Sequence, residues 1–316
     1  MHRDLNLVAD IGGTNTRVAL ARGAEVAPDS IRRYANAGHS DMAGVLRRYL
    51  DETGAGRIDG ACVAMAGPVR DGVGQMTNLD WTVDRASLGA VTGAPRLAVL
   101  NDLQAQGHAV GHLDEDDLIR VAPQPLAPVH AAKLVVGIGT GFNAAPVYDT
   151  AGGRFVPPSE CGHITLPQFG PQTSDLARAL ERSLGFAAVE DALSGRGIVA
   201  IHGFLHDGPP LTSARIIAAL EAGDAEARAT AQVFVQLLGA VVGDLALIHL
   251  PFGGIYLVGG MARAVTPHLG PLGFAGTLRS KGRFGPFLEQ FGVSVVTDDF
   301  AALKGCALHL AHLPPG

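Results

Sequence analysis

Three glycine-rich turns and a few polar residues carry the chemistry legible in this sequence. Gly12-Gly13-Thr14, Gly139-Thr140-Gly141 and Gly259-Gly260 each follow a short apolar run. Glycine lets the backbone approach an anion, and successive N–H groups form a concavity that suits phosphate oxygens. Thr14 and Thr140 add hydroxyl donors, and Asn15 closes the first turn. Asp10, just ahead of that turn, is an oxygen ligand of the kind Mg²⁺ takes, directly or through water. The chain has 42 glycines, so any one of these turns by itself reads as an ordinary hairpin or strand end. Their recurrence after apolar strands is what points to phosphate. Two common nucleotide signatures are missing: no Gly-Lys pair occurs, which excludes a P-loop, and there is no GxGxxG.

The elements that must position these turns follow from the pattern of apolar residues. Leu5 to Ile11 and Arg17 to Ala21 read as two strands of a hairpin around the first turn. Leu134 to Ile138 and Ala144 to Tyr148 repeat the design around the second. Gly60 to Ala66 is an apolar strand ended by Gly67-Pro68. Arg96 to Leu100 is a buried strand with Asn101-Asp102 at its C-terminal end. Leu103 to Val110 then reads as a helix that either residue of that pair can cap. Residues 171 to 249 are mostly helical by period. Ile255 to Val258 runs into Gly259-Gly260 and a further helix. Val293 to Val296 is a late strand, and Phe300 to Leu310 a final helix. Alternating strands and helices make an α/β protein. The Pro-rich loop from Pro123 to Pro128 is the natural place for a domain change.

Composition narrows the function. The chain has 316 residues, 47% of them hydrophobic and 17% charged, enough for one large domain or two ordinary ones. The formal net charge of −6, with lysine only at Lys133, Lys281 and Lys304, argues against a nucleic-acid partner. Cys62, Cys161 and Cys306 are far apart and form no CxxC, which excludes a Cys-rich zinc site and a disulfide scaffold. They suit a reducing cytoplasm. No signal-peptide pattern opens the chain. Lys133, Asp149, Asp244 and His249 interrupt the longest apolar stretches, so none is expected to span a membrane.

Leu7-Val-Ala-Asp-Ile-Gly-Gly-Thr-Asn-Thr-Arg-Val-Ala-Leu20 closely resembles the opening of bacterial glucokinases, members of the hexokinase–actin-like ATPase superfold. The resemblance continues in order through Ala66-Gly-Pro, Thr77-Asn-Leu-Asp-Trp81, Asn101-Asp102, Gly139-Thr-Gly141, Glu160-Cys-Gly-His163 and Val189-Glu190. It then takes in Leu193-Ser-Gly195, Gly259-Gly260 and Lys281-Gly-Arg-Phe284. It implies a two-domain actin-like (ribonuclease H-like) α/β fold with a cleft between domains that close on sugar. Residues 1–110 would form a small domain, completed by a C-terminal helix over about 299–316, and residues 111–298 a large one. It also implies glucose and ATP as substrates, Mg²⁺ as cofactor, a cytoplasmic enzyme and a homodimer. The related ROK group carries a Cys-rich zinc motif after its Glu-x-Gly-His loop. With Cys161 alone nearby, zinc is not expected, and the chain resembles the non-ROK branch.

Phosphoryl transfer to an alcohol needs a base for the hydroxyl proton and stabilisation of charge on the phosphoryl oxygens. Asp102 ends a buried strand, where α/β proteins place functional groups. The resemblance makes it the base and puts Asn101, Asp102, Glu160, His163 and Glu190 around the sugar, with Asn78 joining them. Carboxylates accept from sugar hydroxyls and His can donate or accept. Asp10, Gly12, Gly13, Thr14, Asn15, Thr140, Gly141, Gly259 and Gly260 are the nucleotide-binding set. Read from residue types alone, Asn101-Asp102 is equally a helix cap, His163 a structural histidine and Glu190 a solvated helix residue. After Gly141 the chain reads Phe-Asn-Ala-Ala where many relatives have another Gly. Kinases of another hexose or hexose derivative, and a non-catalytic sugar-binding regulator, are the alternatives on this fold. An ATPase of the actin or chaperone type would not need the Glu160, His163 and Glu190 set.

Overall fold

The computed structural model describes residues 4–76 and 79–314. The chain divides into two compact units. One comprises Met1–Leu113, Asp149–Pro158 and Asp298–Gly316, and the other Asp114–Tyr148 and Ser159–Thr297. The division falls at Leu113–Asp114, ahead of the Pro-rich loop.

The first unit opens with strands β1 (Leu5–Ile11), β2 (Asn15–Arg22), β3 (Glu25–Val26) and β4 (Arg32–Ala35), then helix α1 (Met42–Thr53) and strand β5 (Gly60–Met65). Three short strands, β6 (Val69–Arg70), β7 (Val73–Gln75) and β8 (Thr82–Asp84), pair as a small antiparallel sheet. Helix α2 (Arg85–Thr92), strand β9 (Arg96–Asn101) and helix α3 (Asp102–Ala109) follow. The main sheet runs β3-β2-β1-β5-β9, with β4 also on β2. β1 and β2 are antiparallel, and β1, β5 and β9 are mutually parallel. That register sets Asp10 level with Ala64 and Leu100. Asp10 and the Asn101-Asp102 pair thus leave the same, C-terminal end of the parallel strands, two strand spacings or roughly 10 Å apart.

Strand alternation explains the two layers. Leu7, Ala9 and Ile11 pack on one face against Met42, Val45, Leu46 and Tyr49 of α1. Those four recur at helical spacing, and α1 is bounded by Asp41, which caps its start, and by Gly54 in a left-handed conformation at its end. Val8, Ala19, Cys62 and Ala64 face the other way, onto Leu303, Cys306 and Leu310 of a C-terminal helix, Ala301–His312. The residues on this face are small, so the helix sits close. A Cβ on Gly305 would lie 1.8 Å from the carbonyl oxygen of Ala105 on α3. The far end of α3 is closed by Arg154, almost fully buried. Its guanidinium donates to the carbonyls of His108 (2.9 Å) and Val110 (2.6 Å) and grips Asp149 with two bonds.

Beside it, buried His108 meets His309 of the C-terminal helix, Nε2 to Nδ1 at 3.1 Å. Desolvation, with Arg154 and His312 nearby, lowers His108 to about 3, with Asp149 opposing. Desolvation, with His312 and Arg85 adding, lowers His309 to about 4. Both rings are neutral in the fold, whereas an unfolded histidine titrates near 6.5. The stability they contribute is therefore complete above pH ~6.5 and is lost as pH falls toward those values, at about 1.4 kcal/mol per ring and pH unit. Urea midpoints should fall between pH 7 and pH 5, and fall less in His309→Gln. Equal falls in both proteins would refute this account.

The second sheet and its helices repeat the plan. Strands β10 (Leu118–Ala122), β11 (Lys133–Ile138), β12 (Phe142–Thr150) and β13 (Gly153–Phe155) are followed by helices α4 (Pro171–Leu184), α5 (Val189–Ala192), α6 (Gly195–Leu205), α7 (Ser213–Glu221) and α8 (Ala225–His249). Then come β14 (Ile255–Val258), α9 (Gly260–Leu269), α10 (Phe274–Arg279) and β15 (Val293–Val296). The sheet order is β10-β15-β14-β11-β12-β13. β11 and β12 form the second antiparallel hairpin, and β14 and β15 run parallel to β11. Among the described residues α8 alone is long and apolar enough to cross a membrane, despite Asp244 and His249. The sequence pattern underrated its length. It is a core helix, with Val233, Phe234, Leu237, Leu238 and Val241 in the main apolar cluster. Asp244 is tolerated because its side chain is half exposed, and it pairs at 2.6 Å with Lys281, of the Lys281-Gly-Arg-Phe284 run.

Candidate active site

In the first unit the β1–β2 turn is held by an asparagine from elsewhere. Asn36 is buried and donates to the carbonyl of Gly12 (2.8 Å), while Thr16 Oγ1 donates to its Oδ1 (2.8 Å). Its own N–H reaches the carbonyl of Thr14 at 2.9 Å. The turn is thereby fixed with Thr14 exposed and Gly12, Gly13 and Asn15 half-buried. Asp10 sits opposite Arg17 across the hairpin and accepts from its Nη1 at 3.1 Å. Burial pushes the Asp10 carboxyl up, and Arg17 opposes that shift. A carboxylate that is costly to leave charged is one that a cation would stabilise.

Asn101 and Asp102 share the start of α3. Asn101 is the cap: its Oδ1 accepts from the N–H of Leu103 (2.9 Å) and its Nδ2 donates to the carbonyl of Gly67 (2.9 Å). Gln104 returns the bond, its Oε1 accepting from the N–H of Asn101 at 3.1 Å. The capping expectation is therefore met by Asn101, one of whose two amide N–H donors is committed to Gly67. Asp102 is the first helical residue, and its Oδ1 accepts from the N–H of Leu103 at 2.8 Å. A carboxylate there has the charge that a helix N-terminus favours. Asn78 lies outside the described residues.

In the second unit the Gly139-Thr140-Gly141 turn, the loop at Glu160 and helix α5 come together. The N–H of Gly195 donates to the carbonyl of Gly139 (2.8 Å), which fixes the turn against the start of α6. Glu190 lies against Gly141, where a Cβ would fall 2.4 Å from Glu190 Oε2. That oxygen accepts from the N–H of Phe142 (2.9 Å), and Oε1 accepts from Arg196 Nη2 (2.9 Å). Glu190 is thus an anchored carboxylate, with its side chain 19% exposed. A bridge between Thr165 and Ala188, with the N–H of Val189 bonded to the carbonyl of Ile164 (3.0 Å), ties α5 to the Glu160–His163 loop. Asn143 of β12 secures the same loop. Its Nδ2 donates to the carbonyl of Ser159, and its Oδ1 accepts from the N–H of Cys161. Gly162 is packed so closely that a Cβ would lie 2.0 Å from the carbonyl oxygen of Phe142. Glu160 and His163 stand exposed at the loop's surface. Partial desolvation raises the Glu160 carboxyl, His163 opposes, and the charge of Glu190 adds. Glu160 thus has both His163 and Glu190 within electrostatic reach, and groups so placed are able to bond several hydroxyls.

The third glycine turn closes the same end of the second sheet. Gly259 adopts φ 103°, and a Cβ there would lie 2.4 Å from the carbonyl oxygen of Ile138 at the end of β11. Gly260 begins α9 with open space where a side chain would be. Its helix has no side-chain cap, so first-turn N–H groups are available to an anion. Asn36, Asn143, Gly162 and Arg196 were not found by reading the sequence for function. Of these, only Gly162 lay inside a recognised motif, between Glu160 and His163.

The architecture matches the crystal structure of a glucokinase from an Antarctic psychrotroph. The TM-score is 0.88 at 29% identity, over 98% of this chain and 99% of that one. A glucokinase from Balamuthia mandrillaris, solved in complex with glucose, shares the fold at TM-score 0.79 and 22% identity, over 98% of this chain and 94% of that one. Fold and site define an ATP-dependent sugar kinase of the actin-like class. A family model described as glucokinase matches residues 7–313. The glucokinase of Pseudomonas paraeruginosa is 33% identical over 315 residues, 97% of this chain and 92% of its own length. The chain belongs to the glucokinase family.

Proposed function

We propose that the protein transfers the γ-phosphoryl group of MgATP to the 6-hydroxyl of glucose, with Asp102 as the general base. The observation that carries this reading is the Glu160, His163 and Glu190 cluster, anchored beside the Gly139-Thr140-Gly141 turn. Carboxylates and an imidazole held together suit a ring edged with hydroxyls. The glycine turn next to them suits the phosphates. Asp102 takes the proton from the hydroxyl as it attacks, and Asn101 fixes the start of the helix that carries Asp102. The Asp10 turn, with Gly12, Gly13, Thr14 and Asn15, and the turns at Thr140-Gly141 and Gly259-Gly260 bind the nucleotide.

Among the described residues no group of three or more His, Cys, Asp or Glu is placed to hold a metal ion. The lone carboxylate of Asp10, its side chain largely buried, fits Mg²⁺, which binds through one or two carboxylates plus substrate phosphates. When bound, the ion neutralises charge on the phosphoryl oxygens. Asp10, held toward Arg17, would take the ion directly or through a water. The three free cysteines fit a cytoplasmic setting.

ADP release is the test, measured with MgATP, with and without glucose, and then across a panel of hexoses at equal concentration. Release that requires glucose is expected. Release without sugar would favour a simple ATPase. Preference for another hexose would move the assignment to that sugar, and sugar binding without release would make the protein a regulator.

A further inference from the structure

Arg196 breaks a local rule. It is the second residue of α6, whose cap is Ser194, and a cation in the first turn opposes the helix dipole. Nothing in the fold of α6 calls for it. Ser194 is fully buried and its Oγ accepts from the N–H of Gly197 at 3.0 Å. A Cβ on Gly197 would fall 2.3 Å from the carbonyl of Ala192, so the turn into α6 is tightly set. The N–H of Gly195 is bonded to the carbonyl of Gly139. The backbone that carries Arg196 is therefore fixed beside the Gly139-Thr140-Gly141 turn. Its side chain is 76% exposed, yet it reaches Glu190 Oε1 at 2.9 Å. The other oxygen of Glu190 is held by the N–H of Phe142 at 2.9 Å.

We propose that Arg196 is a positioning residue that sets sugar affinity and discrimination by fixing the carboxylate of Glu190. This rests on the reading that Glu190 holds the sugar. With one donor on each oxygen, the carboxylate is held against turning about its last bond. Its remaining lone pairs then point in set directions, and hydroxyls of one configuration meet them. Without the guanidinium, Oε1 loses its protein partner and the carboxylate pivots on the Phe142 bond. Sugars that differ at one hydroxyl are then told apart less well. An ammonium is a point donor without the planar fork, so lysine restores part of the effect. Because Arg196 is exposed in the free protein, the loss in affinity is moderate.

Arg196→Met, Arg196→Lys, Glu190→Gln and the double variant Arg196→Met with Glu190→Gln test this, each assayed with glucose and with its single-hydroxyl epimers. Arg196→Met should raise the glucose KM about fivefold. Its kcat, its KM for ATP and its Tm should stay close to wild type, and the ratio of kcat/KM between glucose and its epimers should shrink. Arg196→Lys should recover part of both effects. In the double variant the Arg196 change should add nothing to Glu190→Gln, as expected of coupled groups. If Glu190→Gln raises the sugar KM and Arg196→Met does not, the Arg196 proposal is overturned alone. A rise in ATP KM with unchanged sugar KM also overturns it and gives the residue to the phosphates. If Glu190→Gln leaves sugar KM unchanged, the sugar role of Glu190 fails and the proposal fails with it.

Discussion

Asp102→Asn is expected to lower kcat by about 10²–10⁴-fold, the range that general acid–base catalysis supplies. The variant should still fold. Asp102 opens α3 and its Oδ1 accepts from the N–H of Leu103, a bond that an asparagine carbonyl can also accept. The cap itself belongs to Asn101, which is unchanged. The loss at the helix terminus is a charge–dipole contribution of about 0.3–1 kcal/mol. What disappears is a group able to take a proton. Calorimetry should find glucose binding close to wild type while the coupled assay finds turnover nearly gone. Wild-type kcat would remove Asp102 from the role of base. Lost sugar binding with proportionately retained turnover would make it a sugar ligand only.

Gly162→Ala is expected to lower kcat/KM for glucose by about 10²-fold or more, the cost that a shift near 1 Å can have at a site built on geometry, with weaker glucose binding as part of that loss. The obstacle to a methyl group there is main chain, the carbonyl of Phe142 at 2.0 Å, which cannot swing aside as a flexible side chain could. The Glu160–His163 loop must lift away from β12. Its Asn143 bonds then weaken, and Glu160 and His163 leave their places relative to Glu190. Overpacking of this kind also costs about 1–3 kcal/mol of stability. Nucleotide binding should suffer less than sugar binding. Circular dichroism and the Tm establish that the variant is folded, and calorimetry with glucose and ATP separately reads the effect. Equal loss of both ligands, or of neither, would contradict the role given to this loop.

Much of the fold was legible because it is written in local patterns. The two hairpins, the strand into Asn101-Asp102 and the strand into Gly259-Gly260 have apolar runs closed by glycine or by a capping residue, and the final helix is itself an apolar stretch. The match between the two hairpins was visible for the same reason. Helix α1 carried an equally clear signal in Met42, Val45, Leu46 and Tyr49, framed by Asp41 and Gly54, yet motif reading passed over it. Strands β6 to β8 have two or three residues each, too few for alternation to show. The candidate site divides in the same way. Glycines and acidic residues in short runs could be singled out. Asn36 and Asn143 could not, because they act on segments distant in sequence and each looks like a common loop or strand asparagine. Arg196 shows its meaning only once Glu190 lies next to it.

The C-terminal helix has a further consequence in the order of synthesis. The sheet face formed by Val8, Ala19, Cys62 and Ala64 is made first, yet its cover, Leu303, Cys306 and Leu310, is made last. The second unit ends at Thr297 and is complete in sequence before that helix leaves the ribosome. Domains generally fold as units during translation, N-terminal first. This chain departs from that order: apart from Ala105 of α3, that apolar face lacks its cover until Leu303, Cys306 and Leu310 are made, and a chain that stops before Ala301 leaves most of it exposed.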